Sequence, residues 1–318
     1  MPESTQRDQR PYFSIVTPTY NREKLLPRLY QSLCEQRFSD MEWVVIDDGS
    51  TDGTRELIAR LQSDSPFPIV YRYQPNGGKH RALNHALEVA SGLFFVDVDS
   101  DDYLIPAVLG RYETLWEGLQ DAQRASLAGI VADCLHTDGR IVGRPFPEDM
   151  IITNSIDLRS KLKLRGDKLY LYKLDILRYY PIPEFEGERF IQESVRHRRV
   201  AREYELLATT LAGCVKDYQS DGLSADFSGR VPNNLKNPKG YRLRTREAVN
   251  LGAKENALEL WKECINYSRF CFHCGDGLKA QFNGINKKAL LIISLPLGFM
   301  RYRKDLAAFP MLRRNPYA

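Results

Sequence analysis

Four times in the first hundred residues, a short apolar run ends in acidic or turn-forming residues and gives way to a helical pattern. Residues 13–17 (Phe-Ser-Ile-Val-Thr) run into Pro18-Thr19-Tyr20-Asn21, ahead of an amphipathic segment with Leu25, Leu26, Leu29 and Leu33 on one face. Residues 42–46 end in Asp47-Asp48-Gly49-Ser50-Thr51-Asp52-Gly53-Thr54 before another helix. Residues 69–73 close at the turn Pro75-Asn76-Gly77-Gly78, and a helix over 79–90 returns the chain to Leu93-Phe94-Phe95-Val96. Repeated strand, helix, strand units predict an α/β fold: a mainly parallel sheet flanked by helices on both faces. Ligands of such sheets sit outside the carboxyl ends of the strands, where residues 17–22, 47–50, 76–81 and 97–102 all fall.

The last strand is followed directly by Asp97-Val98-Asp99-Ser100-Asp101-Asp102. Four carboxylates at one strand end repel each other, and hard divalent cations such as Mg²⁺ or Mn²⁺ are the natural partner of clustered carboxylate oxygens. The alternative is a solvated acidic turn capping a helix that starts near Pro106. No G-x-G-x-x-G follows the first strand, and Gly78-Lys79 lacks the spacing and the following Ser or Thr of a Walker A loop. A nucleotide at this edge therefore has its diphosphate held by a metal at Asp99 and Asp101, helped by Lys79 or Arg81.

Thr17-Pro18-Thr19-Tyr20-Asn21-Arg22, Val45-Ile46-Asp47-Asp48-Gly49-Ser50-Thr51-Asp52, Asn76-Gly77-Gly78 through Asn84, and Val98-Asp99-Ser100-Asp101-Asp102 resemble the ordered motifs of the family 2 glycosyltransferases with the GT-A fold. The resemblance covers residues 13–106 and implies a nucleotide-sugar donor, UDP-linked, bound along these motifs. It implies that Asp48 contacts the base with Pro18 and Tyr20 flanking it, and that Asp99 and Asp101 are the D-x-D pair, with Asp101 the direct ligand of Mn²⁺ or Mg²⁺. Residues 185–193, ending Phe190-Ile191-Gln192-Glu193, resemble the acceptor-side segment in which a carboxylate serves as base. Many relatives carry Glu-Asp where this chain has Gln192-Glu193-Ser194. By the resemblance Glu193 is the base, deprotonating the acceptor hydroxyl of an inverting transfer, with Glu188 the second candidate. Glu193 could otherwise pair with Arg196 or His197 at helical spacing. The family also implies bacterial surface polysaccharide synthesis, where acceptors are often lipid-linked saccharides.

At 318 residues and 43% hydrophobic content, the chain can bury one large or two modest cores. Residues 129–134 and 140–143 flank Asp138-Gly139 and read as a hairpin. A stretch rich in Pro, Asn and Gly at 226–239 places a boundary near 230. This predicts a catalytic domain over 1–230, with a donor half at 11–115 and an acceptor half at 116–230, and a mostly helical region over 231–318. Six cysteines without secreted-type spacing and a polar start at residues 1–9 favour a reducing cytoplasm. Cys264, Cys271, His273 and Cys274 suggest zinc only weakly, since no second ligand pair follows at finger spacing.

Net charge is +4, but the tail is lopsided: Lys279, Lys287, Lys288, Arg301, Arg303, Lys304, Arg313 and Arg314 face few acids. The apolar residues 289–300 among them are too few to span a bilayer, which takes about twenty. They either lie at an anionic membrane surface, making the protein peripheral at the inner face of the cell membrane, or pack on the catalytic domain. No motif for reading nucleic acid accompanies the basic residues. Two other functions fit parts of the pattern: a non-catalytic nucleotide-sugar-binding or scaffold protein, and a nucleotidyltransferase. The latter calls for a glycine-rich basic loop after the first strand, and residues 17–22 contain no glycine.

Overall fold

The four apolar runs become β1 (Phe13–Thr19), β2 (Met41–Asp47), β3 (Ile69–Tyr73) and β4 (Phe94–Asp97) in a computed structural model that describes residues 10–219, 231–251 and 256–313. Every residue of β1 and β2 is buried, as expected of strands covered on both faces. Between them run α1 (Leu26–Cys34), α2 (Thr54–Asp64) and α3 (Lys79–Val89). Leu26, Leu29 and Leu33 of α1 share the core with Ile15, Trp43 and Val45, so one leucine stripe fixes which helix face meets the sheet. The strands lie in the order β3-β2-β1-β4 and all run parallel.

Beyond β4 the sheet is mixed rather than parallel. After β5 (Tyr103–Leu104), α4 (Val108–Glu117) and α5 (Asp121–Ser126) come β6 (Leu127–His136), β7 (Ile151–Thr153), α6 (Ser155–Ser160), β8 (Lys168–Lys173), α7 (Leu174–Leu177), α8 (Ser194–Val200) and β9 (Glu205–Lys216). β8 inserts between β4 and β6, antiparallel to both; β6 and β9 are parallel; β5 and β7 run antiparallel to β9. The hairpin at Asp138-Gly139 forms, but its second arm makes only the bridge of Ile141 to Leu135. Gly139 takes φ +82°, the left-handed conformation such a turn requires.

The remaining helices are α9 (Asn233–Lys236), α10 (Pro238–Leu251), α11 (Ala257–His273), α12 (Leu278–Gly284) and α13 (Lys288–Ala308). Their core comprises Val249, Cys264, Tyr267, Cys271, Ile285 and Leu291. A Cβ on Gly298 would come within 2.7 Å of Ser268, so the absence of a side chain lets α13 approach α11. His273 Nε2 lies 2.9 Å from Asp305, which also binds Arg269, so the ring of this histidine is engaged by a carboxylate.

The chain divides into two compact units, and the division differs from a single cut near residue 230. Residues 155–163 and 182–202 belong with the C-terminal helices, whereas 164–181 and 203–219 belong with the sheet. The physical reason is long-range. Glu188 accepts hydrogen bonds from the Lys239 and Gly240 amides at the start of α10 (2.5 and 2.7 Å), Asn237 Oδ1 accepts from the Arg189 and Phe190 amides, and Arg199 pairs with Glu247 at 2.8 Å. The opening residues 1–9, the first part of the expected boundary (226–230), and Arg314 lie outside the described residues.

Candidate active site

Asp99, Asp101 and Asp102 emerge from the end of β4 with one oxygen of each within 4.8 Å of the others, the only such group of potential metal ligands among the described residues. Asp102 is buried and anchors the turn, its own amide donating to the Asp99 carbonyl at 3.0 Å. Two lysines converge on these acids. Lys79, the first residue of α3, pairs with Asp99 and lies 3.8 Å from Asp97; Lys216, the last of β9, pairs with Asp102 and lies 3.6 Å from Asp99. Arg28 of α1 donates to the Asp101 carbonyl at 2.5 Å and to Asp217 at 2.6 Å, joining α1 to the end of β9.

Charge crowding shows in the acidities. Burial and then the Asp99 charge push the Asp101 carboxyl above its ordinary value. Burial, opposed by Lys216 and reinforced by Asp99, pushes Asp102 up to about 6. Burial works against the Lys216 ammonium, but Asp99 and Asp102 hold it well above the usual lysine value. A site where carboxylates remain strained beside two ammonium groups suits a hard divalent cation: three carboxylate oxygens are already within reach of one ion.

At the end of β1, Thr17 Oγ1 accepts from the Trp43 indole at 2.9 Å and is structural. Pro18 is buried and Tyr20 exposes 47% of its surface. The Thr19 hydroxyl is buried without a hydrogen-bond partner, an acceptor and donor held ready at the strand end. Asn21, at φ +52°, clamps the neighbouring loop: its amide donates to Ser50 Oγ at 2.9 Å and its Oδ1 accepts from the Thr51 amide at 2.8 Å. The Arg22 charge acts on Asp101.

Asp47 accepts from the Ser50 amide (2.8 Å) and the Tyr71 hydroxyl (2.7 Å). Asp48 accepts from Gln74 Nε2 and the Gly77 amide at 2.8 Å and from the Gly78 amide at 2.7 Å, so it holds the Asn76-Gly77-Gly78 turn against β2. With three of roughly four acceptor positions used, one is left for a further donor. Gly78 takes φ +96° as the chain enters α3, and the side chain of Arg81 lies over Gly77, where a Cβ would come within 2.7 Å of its Cδ. Asn84 is half-buried one turn further along α3, and Ser100 is buried within the acidic run.

Residues 14–160 match the family model described as glycosyl transferase family 2. The chain is 36% identical over 261 residues to the GalNAc(5)-diNAcBac-PP-undecaprenol beta-1,3-glucosyltransferase of Campylobacter jejuni, an alignment covering 79% of this chain and 71% of that protein. The chain belongs to glycosyltransferase family 2. It is also 38% identical over 94 residues to the poly(ribitol-phosphate) beta-N-acetylglucosaminyltransferase TarS of Staphylococcus aureus, a match of 29% of this chain and only 16% of that protein. A crystal structure of S. aureus TarS superposes with a TM-score of 0.59 at 18% identity, covering 94% of this chain and 91% of the other. The same protein in complex with UDP-GlcNAc gives 0.57 at 20% identity with the same coverage. This glycosyltransferase therefore has the GT-A fold implied by its motifs.

The family motifs, which include Asp102, leave out two contributors to the acidic site. Lys216 and Arg28 are not legible, because their roles depend on β9 and α1 being brought to the same sheet edge by pairings far apart in sequence. The two candidate bases of the glycosyltransferase lie in the helical unit. Glu188 is 1% exposed with both oxygens committed to the start of α10, and burial keeps its carboxyl above the ordinary value. Glu193 is half-buried at the residue before α8, its carbonyl accepting from the His197 amide at 3.1 Å.

Proposed function

We propose that this glycosyltransferase moves a sugar from a UDP-sugar to a hydroxyl of a lipid-linked saccharide, with inversion, at the cytoplasmic face of the membrane during assembly of a bacterial surface polysaccharide. The observation carrying the donor half is the group Asp99, Asp101, Asp102, Lys79 and Lys216 at the carboxyl edge of the sheet, beside the exposed ring of Tyr20. A Mn²⁺ or Mg²⁺ ion held by Asp99 and Asp101, with Asp102 in reach, supplies positive charge to the departing diphosphate. Lys79 opens α3, whose free amides and dipole favour an anion, so it binds the same diphosphate. Tyr20 and Pro18 flank the base, and the remaining acceptor position of Asp48 takes a base N–H. Thr19, Asn21, Arg22, Arg81 and Asn84 line the donor path, Asn21 by holding the loop that carries Ser50. Glu193 takes the proton of the acceptor hydroxyl.

The UDP and lipid-linked parts of this reading draw support from relatives: the TarS structure in complex with UDP-GlcNAc, and the C. jejuni enzyme whose name specifies an undecaprenol-linked glycan. Calorimetric titration of UDP in Mn²⁺ and in chelator tests the donor site. Affinity rises with Mn²⁺ in the parent and loses most of that response in Asp101→Asn. Equal affinity with and without metal in the parent overturns it.

A further inference from the structure

α13 is apolar on two opposite faces: one is packed, and the other is largely exposed, meeting α11 at its edge where the Phe299 ring lies against Phe272 with centroids 5.2 Å apart. Leu291, Ser294 and Gly298 are buried, Gly298 against Ser268 of α11, and Ser294 Oγ donates back to the Leu290 carbonyl at 2.7 Å. A helix that is apolar all round is normally buried all round. Here Ile292 (57% exposed), Ile293 (61%), Phe299 (44%) and Met300 (59%) stand on the other side together with exposed Pro296. Their spacing of three, four and seven residues makes one stripe along the helix. Isolated exposed apolar residues need no explanation, but a continuous stripe does.

The surrounding charge identifies what covers it. No Asp or Glu occurs between Asp276 and Asp305, whereas Lys279, Lys287, Lys288, Arg301, Arg303 and Lys304 all lie there. The two bounding acids are engaged elsewhere, Asp276 with Arg242 at 2.7 Å and Asp305 with Arg269 and His273 at 2.6 and 2.9 Å. Cations therefore flank the stripe at both ends of the helix. No helix among the described residues is long and apolar enough to cross a membrane.

We propose that the Ile292, Ile293, Pro296, Phe299 and Met300 face of α13 lies in the interface of an anionic lipid bilayer, parallel to its plane, with Lys287, Lys288, Arg303 and Lys304 on the lipid phosphates, while Arg301 donates to Asn266 of α11 at 3.0 Å. The apolar side chains enter the acyl boundary while the cations stay at headgroup level. The inference deepens the reading of a membrane-face enzyme and rests on it in naming the surface at which the lipid-linked acceptor is met. The geometry of the stripe itself is independent of turnover.

The test is flotation of the full-length protein with vesicles of phosphatidylcholine alone or mixed with phosphatidylglycerol, at low and high salt. The protein floats with the anionic vesicles at low salt and is released by high salt. Ile293→Glu combined with Met300→Glu lowers partition roughly thirty-fold or more, since two apolar side chains no longer enter the lipid. Arg303→Gln and Lys304→Gln, both at exposed positions, lower it about five-fold each. An unchanged circular dichroism spectrum and melting curve shows that the variants are folded. Failure of the parent to float with anionic vesicles overturns the proposal, as does unchanged flotation of the double variant. So does light scattering that finds a dimer converted to monomer by the double variant, which would make the stripe a contact between two copies. Transfer to a lipid-free acceptor is measured in parallel. Turnover without flotation sinks only the role of α13, and flotation without turnover sinks only the enzymatic reading.

Discussion

The sheet edge and the helical unit both carry many acids, and they use them in opposite ways. At the edge, Asp99, Asp101 and Asp102 face one another, and even with Lys79 and Lys216 among them the Asp101 and Asp102 carboxyls are pushed up. In the helical unit five acids each have partners of their own: Glu188 the start of α10, Glu247 Arg199, Glu263 Arg244, Asp276 Arg242, and Asp305 Arg269 and His273. Like charges held together weaken the fold, and a chain tolerates them where a ligand completes the site. Acids satisfied one by one strengthen the fold and leave little over for chemistry. The difference separates an edge where acids crowd together from a unit whose polar groups mainly build structure.

Glu193 is the acid of the helical unit to which the proposal gives chemistry, and the largest expected effect tests it. Glu193→Gln keeps the side chain's shape and removes its capacity to take a proton, so turnover falls by roughly two to four orders of magnitude while UDP and Mn²⁺ affinity survive. Steady-state rates beside calorimetric donor titration measure both quantities. Near-normal turnover in this variant makes Glu193 one more structural acid and leaves the helical unit without a base.

Glu188 sharpens the contrast from the other side. Glu188→Gln leaves one of the two α10 amides facing an NH₂ group, at a cost of about 2–3 kcal/mol in unfolding free energy from the lost charge-assisted hydrogen bonding. Turnover per folded molecule stays near that of the parent. Denaturant unfolding and an activity assay corrected for folded fraction distinguish this from a catalytic loss, which would transfer the role of base to Glu188.

How much the sequence could say follows the same line. The sheet edge was legible because each motif sits at the end of its own strand, and strand, turn and helix are local: β1 to β4 and α1 to α3 lie close to where periodicity places them. The mixed order beyond β4 was not, since the insertion of β8 between β4 and β6 depends on pairing partners and not on local pattern. Lys216 was hidden for the same reason. The boundary near residue 230 marked a real change of composition, yet the hydrogen bonds that tie 188–190 to 237–240 are invisible in one dimension. Glu188 therefore read only as a second candidate base, with no sign that its carboxylate also accepts from the amides at the start of α10.

The smallest effect concerns Asp305, and its sign follows from the geometry. Burial raises its pKa, but hydrogen bonds from His273 and Arg269 and the Arg269 charge outweigh burial and hold the folded value below the ordinary one. A carboxylate with a depressed folded value contributes stability that is present in full above its unfolded value, about 4, and is lost as pH falls through the folded value. Asp305→Asn removes that contribution. The variant is less stable than the parent at neutral pH by about 1–2 kcal/mol, a partly exposed ion pair being worth less than a buried one. The gap narrows as the solution is acidified below pH 4, where the parent carboxylate takes up its proton. Thermal unfolding of both proteins across that range measures the convergence. A gap independent of pH would show that Asp305 acts through shape and neutral hydrogen bonding, and would remove it from the acids that stabilise the helical unit by charge.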